Sequence, residues 1–114
     1  MVKYDLEDRT LKSAQNVRIF VRKLPRTISN IEDSKQLVKA SGSVAANYIE
    51  ANESLSKKDF LMRIKICRKE AKESKYWLNL LDMTYNSDLE KTRNQLRDEA
   101  VELTNIFGSI IRKS

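Results

Sequence analysis

Apolar residues recur every three or four positions over most of the chain, which is the spacing that places them on one face of an α-helix. The first apolar stripe predicts a helix from about Asp5 to Leu24, which ends there because Pro25 follows. Its members alternate in steps of four and three: Thr10, Ala14, Val17, Val21 and Leu24. We expect this side of the helix to face a core.

The second predicted helix begins at Ser29 and Glu32, which have the spacing of a capping box at a helix N-terminus. Its inward stripe is Leu37, Ser41, Val44, Tyr48 and Ala51. Small residues surround Gly42 in the middle of this helix, so a neighbouring helix could approach closely there. The alternative is that Gly42 merely weakens the helix, by about 1 kcal/mol.

The third helix has the clearest start. Ser56 and Asp59 form another capping box. Leu55 is placed to pack on Phe60 as a hydrophobic staple. The helix should therefore run from near Ser56 to about Met83.

A further pair of this kind, Ser87 and Glu90, predicts the start of a fourth helix that ends near Arg112. Its apolar stripe is Leu89, Leu96, Ala100, Leu103, Phe107 and Ile110. Long helices joined by short connections pack as antiparallel neighbours, and steps of three and four favour coiled-coil-like packing. The chain is therefore predicted to be a single all-α domain, residues 1–114, folded as an antiparallel up-down-up-down four-helix bundle.

Two separate apolar faces lie on the third helix. The first should face the bundle core: Phe60, Ile64, Cys67, Ala71, Ser74, Leu78 and Leu81. The second lies roughly 120° around the helix and contains Met62, Ile66, Trp77 and Leu80. A wide core could cover part of this second face. We favour an interface between subunits, because contiguous exposed apolar surface usually marks one, and so we expect a homo-oligomer.

Positive charge is concentrated in two of the helices. The chain has a formal net charge of +6 and a pI near 9.5. Residues 1–26 hold seven cations and three acids, and residues 54–83 hold eight and four, so each region carries +4. Phosphate backbones attract such surfaces, because each neutralised phosphate releases counterions.

The cations expected to bind RNA or DNA are Arg18, Arg22, Lys58, Lys65, Arg68, Lys69 and Lys72. Tyr76, on the same outer face of the third helix, could stack on a base. The alternative is that the basic face is only solvated. In that case the bundle is structural, or it binds a protein partner and has no nucleic-acid role.

Few residues of the sequence are suited to catalysis or to metal binding. Without any histidine, the sequence lacks the commonest general base and the Glu-x-x-His element of ferritin-like metal sites. The acidic pairs Glu50/Glu53 and Glu70/Glu73 are expected to form ordinary ion pairs, and Cys67 is expected to be a buried, unreactive thiol. We predict no enzymatic activity, no cofactor and no metal. The lack of a long apolar run or leader predicts a soluble, cytoplasmic protein without membrane association.

Four segments carry a resemblance to a known family. In this order they resemble the bacterial four-helix bundle family of ribosomal-RNA intervening-sequence proteins: Leu24-Pro25, SGSVAANYIEA at 41–51, SKKDF at 56–60 and KEAKESKYWL at 69–78. The resemblance spans nearly the whole chain. It implies a bundle that assembles into a ring, with no enzymatic activity assigned to most members. The family label refers to genes that lie within ribosomal-RNA gene insertions.

A relative of that family is the accessory protein of diversity-generating retroelements. The resemblance to it implies a pentameric barrel that binds nucleic acid beside a reverse transcriptase. By this resemblance the expected assembly is a pentamer, with RNA or DNA as ligand and a reverse transcriptase as a candidate partner. The four segments are compatible both with the wider family and with the retroelement accessory proteins.

Overall fold

The computed structural model describes the backbone of residues 2–114 and the side chains of residues 6–114. This part of the chain forms four α-helices: α1, Val2–Val21; α2, Ile28–Asn52; α3, Lys57–Leu80; and α4, Ser87–Arg112. The helices lie side by side in a bundle with extents of 46 × 23 × 20 Å. The predicted all-α four-helix bundle is confirmed.

The four helices occupy the corners of a square in chain order. α1 packs on α2 and α4, and α3 packs on the same two helices. Between residues 2 and 114, the backbone of α1 does not come close to that of α3, nor that of α2 to that of α4, so these pairs lie on the diagonals. Side chains still meet across the core, as the rings of Tyr48 and Phe107 do. The diagonal placement decides which surface cations can be neighbours within one chain.

A side-chain oxygen caps three of the helices at their N-termini. Ser56 caps α3 as predicted, and its hydroxyl accepts a hydrogen bond from the Asp59 N–H at 3.1 Å. α2 is capped by Thr27, whose hydroxyl accepts from the Asn30 N–H at 3.1 Å. The predicted cap Ser29 is therefore wrong, because Thr27 has the extended backbone that a cap requires and Ser29 already lies in the first turn.

The cap of α4 also differs from the prediction. Thr84 and Tyr85 have positive φ angles of 53° and 60° and reverse the chain just before the helix. Asn86 follows them with extended backbone and accepts a hydrogen bond from the Leu89 N–H at 3.1 Å. Asn caps helices about as well as Ser, so the cap is Asn86 instead of the predicted Ser87.

Two predicted ends and the staple also need correction. α1 ends at Val21, with turn hydrogen bonds carrying the chain to Leu24. α3 ends at Leu80, because Leu81 has extended backbone, and so it does not reach Met83. The predicted staple is wrong as well, since Leu55 is 100% exposed.

Apolar stripes from all four helices meet in the interior. One cluster is built around Leu6, Val44, Tyr48, Ile64, Cys67, Leu103 and Phe107. A second is built around Val17, Phe20, Leu24, Leu37, Leu78, Leu81, Met83, Leu89 and Leu96. The predicted core stripes are confirmed, with Val21, Phe60 and Ile110 only half-buried. The small-residue segment of α2 leaves room for a side chain, because a methyl group on Gly42 would lie 3.2 Å from Nη2 of Arg18.

Asn30 joins the two connections at one end of the bundle. Its buried amide donates to the Pro25 carbonyl at 2.9 Å and to the Asp82 carbonyl at 2.7 Å. Its Oδ1 accepts from the Asp82 N–H at 2.9 Å. The α1–α2 and α3–α4 connections therefore lie at the same end, as an antiparallel bundle requires. No helix within residues 2–114 has both the length and the apolar character needed to cross a lipid bilayer.

Candidate functional site

A shallow recess lies along the outer edge of α3 where it meets the end of α4. Its volume is about 220 Å³. It is lined by Lys65, Arg68, Lys69, Lys72 and Ile111. Positions 65, 68, 69 and 72 share one face because helical neighbours are three or four residues apart. We call these five residues the basic recess.

Every cation of the basic recess is exposed to solvent. Among residues 6–114, Lys65, Arg68 and Lys72 form no ion pair, and the remaining lysine, Lys69, lies 3.7 Å from a carboxylate oxygen of Glu70. A pair of that length on an exposed lysine contributes little stabilisation. The recess therefore presents four positive charges with almost no internal neutralisation.

Two other arginines of the bundle, Arg9 and Arg63, have partners within the fold. Arg9 forms ion pairs with Glu99 at 2.7 Å and with Glu102 at 2.9 Å. These hydrogen-bonded carboxylates raise the pKa of Arg9 above its ordinary value. Arg63 donates from Nη1 to Oδ1 of Asn47 on α2 at 2.9 Å. The unpaired cations of the basic recess differ from these structural arginines.

The two arginines expected from α1 do not join the basic recess. Arg18 leans over Gly42 of α2 and donates from Nη1 to its own helix, at the Ala14 carbonyl, at 3.0 Å. Arg22 lines a cavity at the α1–α2 turn with Arg26. Both lie along the edge shared by α1 and α2, whereas the recess lies along the edge shared by α3 and α4. Within one chain the structure therefore does not join Arg18 and Arg22 to the basic recess, because α1 and α3 are diagonal.

Two further predicted residues lie near the recess without lining it. Lys58 is exposed in the first turn of α3, about two turns before Lys65. Tyr76 is 56% exposed, and its ring packs edge-on against Trp77 with centroids 4.9 Å apart. More than half of Tyr76 is therefore left to solvent on the outside of α3. Its role in binding stays a prediction.

The second apolar face of α3 is only partly exposed to solvent. Met62 is 49% exposed and Leu80 is 47% exposed. Ile66 is half-buried, and Trp77 is half-buried against the core cluster that contains Phe20. The bundle thus covers part of this face itself, which was the alternative to a subunit interface, and leaves Met62 and Leu80 as the apolar surface that an interface could use.

Cys67 occupies the core and not the candidate site. Its side chain is fully buried, and its thiol donates to the Val44 carbonyl with a distance of 3.5 Å. Burial raises the pKa of Cys67 to about 12. A thiol that stays protonated at neutral pH is a poor nucleophile. Among the described side chains, no group of three acids or cysteines is arranged to hold a metal ion.

Sequence reasoning missed the contribution of α4 to the site. Ile111 lines the recess, and a methyl group on Gly108 would lie 3.6 Å from Nε of Arg68. Gly108 was the available signal, because a glycine is unfavourable inside a helix unless something occupies the space of its missing side chain. Periodicity could not identify what occupies that space.

Fold and surface together define a class: a basic all-helical bundle with a largely unneutralised surface recess. The chain belongs to the family of 23S rRNA-intervening sequence proteins, whose sequence profile matches residues 3–109. The resemblance drawn from the four sequence segments is thereby confirmed at the level of the family.

A crystal structure of a related fold supports this assignment. It is a protein of unknown function from the S23 ribosomal protein family of Bacteroides thetaiotaomicron, to which the chain is 26% identical. The TM-score is 0.80, with 98% of this chain and 99% of that chain covered. No curated protein matches the sequence. The relationship to retroelement accessory proteins stays a prediction.

Proposed function

We propose that this protein is a non-enzymatic helical scaffold that binds RNA or DNA through phosphate groups at the basic recess. The observation that carries the proposal is the set of four cations, Lys65, Arg68, Lys69 and Lys72, with one long contact to a carboxylate among them. Cations grouped on one exposed edge create a positive surface potential that attracts anions. Here the charges are left available to an external polyanion.

The expected binding mode is independent of sequence. Lysine and arginine contacts to phosphate position a strand and carry no base information. The recess is lined by four cations and Ile111, and it lacks the amide and carboxylate side chains that read adenine and cytosine. Affinity should therefore come mainly from counterion release.

The proposal includes assembly of several copies. Met62 and Leu80 leave apolar surface exposed on α3, and the resemblance stated above implies a pentameric ring. Repeating one modest recess around a ring would strengthen binding through effective concentration, without any new type of contact. A role beside a retroelement reverse transcriptase is part of this proposal and rests on the resemblance alone.

Salt dependence of binding tests the proposal. Fluorescence anisotropy with labelled single-stranded RNA and single-stranded DNA of several sequences should give similar affinities. If one strand contacts the four cations of one recess, log K should fall with log salt with a slope of about −3. Binding confined to one sequence would contradict recognition through phosphate groups alone, and no binding at low salt would favour the structural or protein-binding alternative.

A further inference from the structure

Both glycines of the sequence lie inside helices, and an arginine occupies the space beside each one. Gly108 is the more crowded of the two. A methyl group at this position would lie 3.3 Å from Nη1 of Arg112 and 3.6 Å from Nε of Arg68. Gly108 itself is buried although it lies near the end of the last helix.

The guanidiniums of Arg68 and Arg112 therefore converge from two helices on one point. Both distances start at the added methyl group of Gly108. Nη1 of Arg112 and Nε of Arg68 can therefore be no farther apart than the sum of the two distances. Within residues 6–114 neither arginine forms an ion pair. Two like charges at this separation repel each other, and an anion between them would relieve the repulsion.

We infer that Arg68 and Arg112 form a clamp for one phosphate group, which their two guanidiniums hold at the basic recess. This inference deepens the proposed function and rests on it for the identity of the ligand as a nucleic acid. Arg68 approaches from α3, and Arg112 approaches from the last turn of α4. The clamp therefore exists only when the two helices are packed together.

A phosphate group fits the pair better than a carboxylate does. It offers several acceptor oxygens, so that two guanidiniums can each donate charge-assisted hydrogen bonds of about 2.7–2.9 Å. A carboxylate has two oxygens, and the fork of one guanidinium already engages both, which leaves a less favourable geometry for a second guanidinium. The additional positive charge of Lys65, Lys69 and Lys72 along the same edge also favours a strand with repeated phosphates.

Replacing arginine by lysine tests the clamp separately from the effect of charge. Lysine keeps the charge but lacks the planar fork of donors. In the double variant Arg68→Lys/Arg112→Lys, affinity for single-stranded RNA should fall about tenfold, the effect of losing a hydrogen bond to a charged group. The slope against salt should stay unchanged because no charge is lost.

The matched control is Arg18→Lys, which changes the arginine beside the other glycine on the opposite edge of the bundle. It should bind RNA as the parent does. Parent-like binding by the double lysine variant would overturn the clamp while leaving charge-driven binding intact. Weakened binding to an acidic polypeptide that exceeds the effect on RNA would overturn phosphate as the ligand.

A second measurement separates failure of the clamp from failure of the proposed function. Inorganic phosphate is titrated into isotope-labelled protein while NMR follows the Nε–H signals of arginine side chains. The signals of Arg68 and Arg112 should shift together and saturate, and that of Arg18 should not. Saturating shifts without RNA or DNA binding would retain the clamp and reject nucleic acid as its ligand. Equal shifts at all three arginines would reject the clamp.

The source of the phosphate is distinguished with two oligonucleotides. One carries a 5′-phosphate and the other a 5′-hydroxyl, with the same sequence. An equal loss of affinity for both in the double lysine variant assigns the clamp to an internal phosphodiester. A loss confined to the 5′-phosphorylated strand assigns it to a terminal phosphate. No loss for either strand contradicts the clamp.

Discussion

Arg9 and Glu99 form a bidentate ion pair that joins α1 to α4, with Nε 3.1 Å from Oε2 and Nη2 2.7 Å from Oε1. The same nitrogen, Nη2, also contacts Glu102 at 2.9 Å. A cleft of about 430 Å³ separates α1 and α4 beside this pair. The ion pair thus links α1 to α4 beside this cleft. Arg9 is therefore an arginine that stabilises the fold, unlike the unpaired cations of the basic recess.

Removing the Arg9–Glu99 pair should lower the free energy of unfolding. We expect Arg9→Ala to cost about 1 kcal/mol, at the upper end for partly exposed pairs, because the geometry is bidentate. A double-mutant cycle with Glu99→Ala, measured by urea unfolding, isolates the interaction. A coupling energy near zero would show that the pair does not stabilise the bundle.

Asn30→Ala should be more destabilising than the loss of Arg9. The substitution removes three hydrogen bonds to part-buried backbone groups of Pro25 and Asp82, which costs on the order of 3 kcal/mol in total. Asn30→Asp keeps an acceptor for the Asp82 N–H but loses the donor, so it tests the two carbonyl contacts separately. Unfolding midpoints equal to that of the parent would contradict the role of this residue.

Cys67 should be unreactive in the native protein. A thiol reagent at neutral pH should label it only after unfolding, because the side chain is fully buried. Cys67→Ser should lower stability by about 1–3 kcal/mol through burial of a hydroxyl, without abolishing RNA or DNA binding. Rapid labelling under native conditions would contradict its burial.

The raised pKa of Cys67 also predicts a dependence of stability on pH. Burial raises the pKa from 9.0 to about 12 in the folded state, so the protonated thiol favours the fold. That contribution is complete below about pH 9 and is lost as the pH rises towards 12, by up to about 1.4 kcal/mol per pH unit. Cys67→Ala should show a smaller decline over this range, measured by urea unfolding at each pH.

Assembly should depend on Met62 and Leu80. Charged side chains there, as Met62→Lys/Leu80→Lys, should shift the protein towards smaller species in light scattering and leave its helical content unchanged. Leu11→Lys/Ile19→Lys is a matched control, since these residues of α1 are equally exposed, at 49% and 47%. Trp77→Ala should lower stability as well as loosen assembly, because its ring packs against the core.

A folded parent that is monomeric at micromolar concentration would remove the assembly prediction. If the α1 and α3 double variants changed the size of the assembly equally, Met62 and Leu80 would not be the interface. The helical signal in circular dichroism checks that each variant remains folded.

Most of the fold could be predicted from the sequence because the apolar period is regular and few residues interrupt it. The stripes through Val44, Ile64 and Phe107 face the core as expected. Capping was less predictable, because Thr27 and Ser29 are chemically similar and the backbone of the preceding turn decides between them. Local spacing contains no information about that turn.

The candidate site could be predicted only in part. Helical periodicity grouped Lys65, Arg68 and Lys72 correctly, since they belong to one helix. Arg18 was misplaced because net charge along the sequence does not reveal which helices are diagonal. Arg112 was missed for the related reason that its proximity to Arg68 depends on the packing of α4 against α3.

Phosphate binding at the basic recess is tested most directly with the triple variant Lys65→Glu/Lys69→Glu/Lys72→Glu. Its affinity for single-stranded RNA is measured over about 50–200 mM salt. A matched variant, Lys23→Glu/Lys39→Glu/Lys91→Glu, reverses three exposed lysines elsewhere and lowers the net charge equally. Both should stay folded, while the recess variant alone should lose at least about tenfold in affinity and show a shallower salt slope. Parent-like binding by the recess variant, or equal losses in both variants, would contradict phosphate binding at the basic recess.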